Sequence, residues 1–260
     1  MPYPNIDPVF FRIGPLAFRW YGMMYALSFI SAIFLIRYIA FKKQLKITQD
    51  QISDLMLYAA LGVILGGRLG YALIYNPGYY FSNLSKVFAV WEGGMSFHGG
   101  MIGAIAGGAL YCKRHHFSFY EVADVAMVSV PIGLGLGRIG NFINGELFGR
   151  PTDLPWCMIF PQGGDLCRHP SQLYQAGLEG GALFLILWVL SKKELARGIL
   201  FWSLILFYGL FRFFVEFARE PDAHIGLFLD LFSMGQLLSL PMFVLGLIMV
   251  WRCRHRVEAA

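Results

Sequence analysis

Long apolar runs separated by short polar connections dominate the chain. Seven of them, at 18–40, 53–75, 95–112, 120–140, 172–190, 197–217 and 231–251, approach the roughly 20 residues that carry a helix across a hydrocarbon core about 30 Å thick. The second, third and fourth are interrupted by glycine, which blurs their ends. The expected fold is an all-α polytopic membrane protein of seven transmembrane helices, forming one integral membrane domain over residues 1–260. Two connections carry structure of their own. The segment 76–94, NPGYYFSNLSKVFAVWEGG, is rich in aromatics and predicts a short helix lying in the membrane interface. The segment 150–171 is rich in proline and glycine and too polar to span, which predicts a small cap outside the membrane. The N-terminal PNIDPVFFRIGPLAFRW is expected to lie along the same outer surface, and no repeat, low-complexity tract or linker divides the chain.

Composition and charge sharpen this picture. The chain is 57% hydrophobic and 14% charged, as membrane proteins are. Its net charge of +5 needs no nucleic acid partner, because the basic residues alternate between the two sides of the membrane. Lys42, Lys43 and Lys46 follow the first run, Lys113 and Arg114 the third, Lys192 and Lys193 the fifth, and Arg252, Arg254 and Arg256 the seventh. The positive-inside rule makes that side cytoplasmic, with the N-terminus outside and the C-terminus inside. The opening MPYPNIDPVFFRIGP has no basic start and its prolines break any apolar core, so no cleavable leader is expected. Function should face outward, where the connections are long.

Cys112 and Cys253 fall at cytoplasmic membrane ends, whereas Cys157 and Cys167 share an outward loop facing an oxidising compartment. A disulfide between the latter two is the expectation, with free thiols as the alternative. No CxxC and no His/Cys cluster has metal-ligand spacing, so no metal is expected. Gly62 and Gly66 in the second run, and Gly99, Gly103 and Gly107 in the third, form small-xxx-small faces for close helix packing. GLGLGRIG contains a literal GxGxxG, but it closes a membrane span instead of linking a strand to a helix, so it is not a dinucleotide site. These glycines are expected to thin or unwind the end of the fourth run beside Arg138.

Ionisable residues inside spans cost about 2.5–3.5 kcal/mol each on insertion scales, so each implies a partner or a function. Following the chain direction, Tyr21, Arg68, His98, Arg138, Arg212 and Glu216 all come to the outer half of their spans. Tyr208, Arg212, Glu216 and Arg219 are spaced by four, four and three residues and share a helix face. A self-neutralising Arg212–Glu216 pair is the bland account. Against it, Arg68, Arg138, Arg212 and Arg219 outnumber the acids, and a surplus of guanidinium suits an anion, a phosphate in particular. Asn141, Asn144 and Glu146 follow directly, where loop hydrogen bonding is the plain alternative to a binding role. His98, in FHGG, is either a satisfied interior histidine or a general base.

Six blocks carry a resemblance: WYGMMY (20–25), GGRLGY (66–71), WEGGMSFHGG (91–100), GRIGNFINGELFGR (137–150), RHPSQLYQ (168–175) and YGLFRFFVEFAREPD (208–222). In order and approximate spacing the chain resembles bacterial prolipoprotein diacylglyceryl transferases over nearly its whole length, with a segment 150–168 that is short for the family. The resemblance implies transfer of the sn-1,2-diacylglyceryl group of phosphatidylglycerol to the lipobox cysteine of a prolipoprotein signal peptide, without metal or cofactor. A thioether and glycerol phosphate result, and the enzyme resides in the bacterial plasma membrane with its site on the outer side. The family's important positions map onto Tyr21, His98, Arg138, Asn141, Asn144, Glu146, Gly149, Tyr208, Arg212, Glu216 and Arg219. Arg138 and Arg212 would hold the phosphate, Asn141 and Asn144 orient the head group, and Glu146 and Glu216 fix the guanidiniums. His98 is the first choice of base, with Glu216 and Tyr21 as alternatives. An anionic-lipid transporter or flippase would also use intramembrane arginines but should show inverted repeats, and a lipid-binding scaffold would need no base.

Overall fold

A computed structural model describes the chain except for residues 5, 15, 76, 91, 92, 221–226, 229–231, 259 and 260, and except for the side chains of residues 75, 97, 98, 227, 228 and 256–258. A short antiparallel hairpin, β1 (Val9–Ile13) and β2 (Leu16–Arg19), leads into α1 (Trp20–Lys42). Then follow α2 (Gln49–Gly70) with a π turn (Tyr71–Tyr75), α3 (Pro77–Ser82), a 3-10 turn (Leu84–Phe88) and α4 (Phe97–Arg114). After these come α5 (Phe119–Met127), α6 (Val130–Ile143) and α7 (Ser171–Gln175), which continues through a π-helical stretch (Ala176–Ala182) into α8 (Leu183–Ser191). The last elements are α9 (Ile199–Val215), a small ribbon of β3 (Leu227–Phe228) and β4 (Phe232–Ser233), and α10 (Met234–Glu258).

Among the described residues, four helices are long and apolar enough to cross a membrane: Trp20–Lys42, Gln49–Ile74, Ser171–Ser191 and Met234–His255. The pair α5 and α6, bent by 41°, makes a fifth if it is one broken span, and α9 is apolar but shorter. The outward surfaces confirm the solvent. Phe34, Leu185 and Trp251 are exposed on these helices, while Gln172, Gln175, Glu179 and Glu216 are buried. A water-soluble domain reverses that distribution. The chain is therefore a mainly helical, multi-pass membrane protein.

Two compact units result, Ala40–Ala123 and the combination of Met1–Ile39 with Asp124–Ala260. In the first, α2 and α4 pack through their glycines, as the small-residue spacing predicts: a Cβ on Gly66 would collide with the Gly99 carbonyl, and one on Gly62 with that of Gly103. The helix α2 begins with a capping box between Thr48 and Gln51. In the second unit, α6 meets the π-helical stretch where Gly135 and Gly180 touch backbone to backbone, a Cβ on Gly180 falling 2.6 Å from the Gly135 Cα. Buried Asp124 on α5 accepts from the Gly198 and Phe201 amides at 2.6 and 2.9 Å, satisfying donors at the start of α9.

The expected unwinding beside Arg138 does not occur. The helix α6 runs unbroken to Ile143, and the break falls earlier, at residues 128–129, ahead of Pro131. A glycine costs a helix about 1 kcal/mol, whereas an opened turn in lipid leaves polar backbone groups without partners at several kcal/mol each. The segment 150–168 folds on itself through the bridges Pro151 to Arg168 and Met158 to Arg168, and Cys157 and Cys167 form a disulfide with a Cα separation of 5.4 Å.

Candidate active site

The larger unit collects most of the residues singled out in the sequence. Arg212, on α9, places Nη2 2.9 Å from Oε2 of Glu216, one turn on, and Arg219 Nη1 lies 3.4 Å from the other Glu216 oxygen. Gly235 at the start of α10 makes room for this carboxylate, since a Cβ there would sit 2.5 Å from its carboxyl carbon. Tyr208, one turn before Arg212 and buried, stands within electrostatic reach of Arg138, Glu179 and Arg212. Tyr21 lies against α6, its ring occupying the space that a Cβ on Gly140 would take, and its hydroxyl shares a 3.2 Å hydrogen bond with Tyr25.

Glu179, which the sequence reading passed over, stands at the centre of this group. Its side chain is 0% exposed, with Oε2 3.8 Å from Arg138 Nε and Oε1 3.6 Å from Arg212 Nη1. The π-helical stretch positions it, and such bulges frequently mark functional sites. Gln172 and Gln175 on the same continuous helix are also buried; both polar atoms of the Gln175 carboxamide lack a hydrogen-bond partner. A lone acid in the otherwise apolar run 172–190 was the available signal, because an ionised group in a span requires a partner. The acids are therefore less outnumbered than expected. Arg138, Arg212 and Arg219 face Glu179 and Glu216. The carboxylates are 0% and 2% exposed against 20%, 12% and 13% for the three arginines, so the accessible side of the cluster is cationic.

The loop after α6 sits beside it. Tyr3 closes the end of α6 by donating to the Ile143 carbonyl at 2.9 Å, and burial raises the pKa of this phenol above its ordinary value. Glu146 accepts from the Asn141 and Asn144 amides at 2.9 and 3.1 Å, so it orients asparagines and makes no described contact with a guanidinium, contrary to expectation. Gln172 donates to the Glu146 carbonyl at 2.7 Å. Gly149 is pinched between chain segments: its amide donates to the His169 carbonyl at 2.8 Å, it bridges to Arg219, and a Cβ would meet the Ala218 carbonyl and the His169 Cβ. Only glycine fits this approach. Arg168 fastens the neighbouring segment, pairing with Glu220 and donating to the Gly149 and Gly163 carbonyls at 3.2 and 3.0 Å. His169 accepts or donates at Tyr174, and burial lowers its pKa.

Two expected site residues belong to the smaller unit. His98 opens α4 just after the helix cap Ser96, and its side chain lies outside the described residues. Arg68 is engaged with backbone carbonyls of its own unit. Its guanidinium donates to the carbonyls of Lys86 at 2.6 Å, Val87 at 2.9 Å, Gly94 at 3.2 Å and Gly93, and lies over the Tyr80 ring. Depth along a helix suggested an anion role, but the direction of the side chain sends it into the 86–94 connection.

A cluster of part-exposed arginines beside oriented asparagines can hold a phosphate ester and stabilise charge growing on its oxygen. The family model described as prolipoprotein diacylglyceryl transferase matches residues 8–252 of the chain. The chain belongs to that family. A relative from Geobacter sulfurreducens is 59% identical over 249 residues, covering 96% of each chain. One from Aliivibrio salmonicida is 51% identical, covering 99% of this chain and 91% of its own, and one from Bordetella avium is 51% identical, covering 96% and 95%. All three are named phosphatidylglycerol–prolipoprotein diacylglyceryl transferase. The family blocks that carry Arg138, Asn141, Glu146, Arg212 and Glu216 thus come together in one unit of the fold.

Proposed function

We propose that the chain transfers the diacylglyceryl group of phosphatidylglycerol to the lipobox cysteine of prolipoproteins. The thiolate attacks the glycerol carbon that bears the phosphate, a C–S bond forms as the C–O bond breaks, and glycerol phosphate leaves with the bond electrons. The observation that carries this reading is the cluster of part-exposed guanidiniums on fully buried carboxylates. Arg138 and Arg212 hold the phosphate of substrate and leaving group. Asn141 and Asn144, braced by Glu146, orient the head group, while Gly149 keeps Arg219 in place and Tyr208 borders the arginines. Glu216 fixes Arg212 and Arg219. A free cysteine, with a pKa near 8.5, is mostly protonated at neutral pH, so a base must take its proton. His98 has that role. Glu216 is already engaged with two guanidiniums and Tyr21 with Tyr25, which leaves them the weaker alternatives.

The chain is set in the bacterial plasma membrane as one domain with seven spans, N-terminus outside and site on the outer side. Support comes from the alternating basic connections and from helices at all seven apolar runs, although four or five are by themselves long and apolar enough to cross. The segment 150–171 with its disulfide then forms an outward cap and 76–94 an interfacial element. Reporter fusions after Lys46 and Lys193 should read as cytoplasmic, and an outward signal at either refutes the topology. For the reaction, purified protein in phosphatidylglycerol vesicles should add a diacylglyceryl mass to a lipobox peptide. Movement of lipid between leaflets with no peptide modified would establish the transporter reading instead.

A further inference from the structure

Glu179 and Glu216 hold the same arginine in different ways. Glu216 Oε2 comes within 2.9 Å of Arg212 Nη2, an ion pair in direct contact although its geometry makes no hydrogen bond, whereas the Glu179 oxygens stay farther off, 3.6 and 3.8 Å from Arg212 and Arg138. At those distances a carboxylate neutralises charge without occupying the N–H donors, and Arg212 Nη1 indeed makes no hydrogen bond. The placement is enforced: Gly180, the next residue, touches Gly135, three residues before Arg138, with no room for a side chain on Gly180 and only a tight fit for one on Gly135. Glu179 is also 0% exposed, so no substrate group reaches it readily.

Resting on the transferase reading above, we propose that Glu179 is the counter-charge that sets how tightly the arginines hold phosphate and thereby lets the product leave. The substrate phosphodiester carries one negative charge, and the glycerol phosphate product, a monoester, carries about 1.5 to 2 near neutral pH. Arginines without Glu179 would hold the more highly charged product more tightly and release it slowly. Glu179 acts through the guanidiniums and is a positioning and charge-balancing residue.

The test measures glycerol phosphate binding to purified full-length protein by calorimetry, alongside transfer in single and multiple turnovers, for wild type, Glu179→Gln and Glu179→Asp. Removing one charge within a few ångströms of the arginines should tighten product binding of Glu179→Gln by about tenfold or more. Its first turnover should then appear as a burst followed by slow release, while Glu179→Asp, which keeps the charge, binds product within about threefold of wild type. Weaker or unchanged product binding in Glu179→Gln overturns the proposal. If Glu179→Gln does not fold, Glu179→Asp decides: near-normal product affinity supports the counter-charge, and loss of affinity or of folding overturns it. Absence of transfer by wild type would instead strike the transferase reading, a separate outcome from the binding comparison.

Discussion

Replacing Arg212 by lysine keeps the charge and removes the fork, which separates a phosphate grip from charge balance. In the structure Arg212 spends one nitrogen on Glu216 at 2.9 Å and holds the other 3.6 Å from Glu179, without a hydrogen bond. A lysine has one nitrogen for both tasks. Drawn to Glu216, it offers the phosphate a charge at the wrong position; drawn to the phosphate, it leaves a buried carboxylate with one partner fewer. A hydrogen bond to a charged group contributes about 1.5–3 kcal/mol. Its loss from the transition state slows transfer roughly 10- to 150-fold. Arg138→Lys should behave alike, because its guanidinium is also at ion-pair distance from Glu179 with part of its surface open. The assay is diacylglyceryl transfer to a lipobox peptide, normalised to folded enzyme in detergent. Rates within about threefold of wild type for both variants would refute the grip and leave these arginines as structural counter-ions.

Gly149→Ala should leave the helices intact by circular dichroism but slow transfer by about 100-fold, since its Cβ would push the 149–219 bridge and Arg219 aside. Arg68→Lys should lower stability by about 1–3 kcal/mol in thermal unfolding, because one ammonium cannot serve the carbonyls that the guanidinium now serves, while activity per folded molecule holds. Replacing Cys157 and Cys167 by serine should cost about 2–4 kcal/mol of stability and spare most activity, as both sulfurs are taken up in the disulfide that closes the 157–167 loop; complete loss in well-folded protein would contradict this.

The sequence made some features legible and hid others for physical reasons. Periodicity of four and three residues put Arg212, Glu216 and Arg219 on one face, and their ion pairs follow from local helix geometry alone. Glycine spacing likewise announced the contact of α2 with α4. Depth along α2, a one-dimensional property, did not reveal that Arg68 finds carbonyl partners in a connection folded back by the chain. Glu179 was missed although a single acid in an apolar run is itself a signal; its partners lie on α6 and α9, far away in sequence, and a π-helical register turns it toward them. Glu146 was assigned to guanidiniums by charge, whereas the nearest donors are two asparagine amides a few residues away.

The central claim is that a phosphate held by Arg138 and Arg212 leaves as sulfur takes its place on the glycerol carbon. Its most direct measurement counts both products of one reaction, supplying phosphatidylglycerol, wild-type protein and a lipobox peptide, with a cysteine-to-serine peptide as control. The account predicts one glycerol phosphate released for each thioether formed, and neither product with the serine peptide. Glycerol phosphate released without thioether, or thioether formed with phosphate retained on the lipid product, would contradict it.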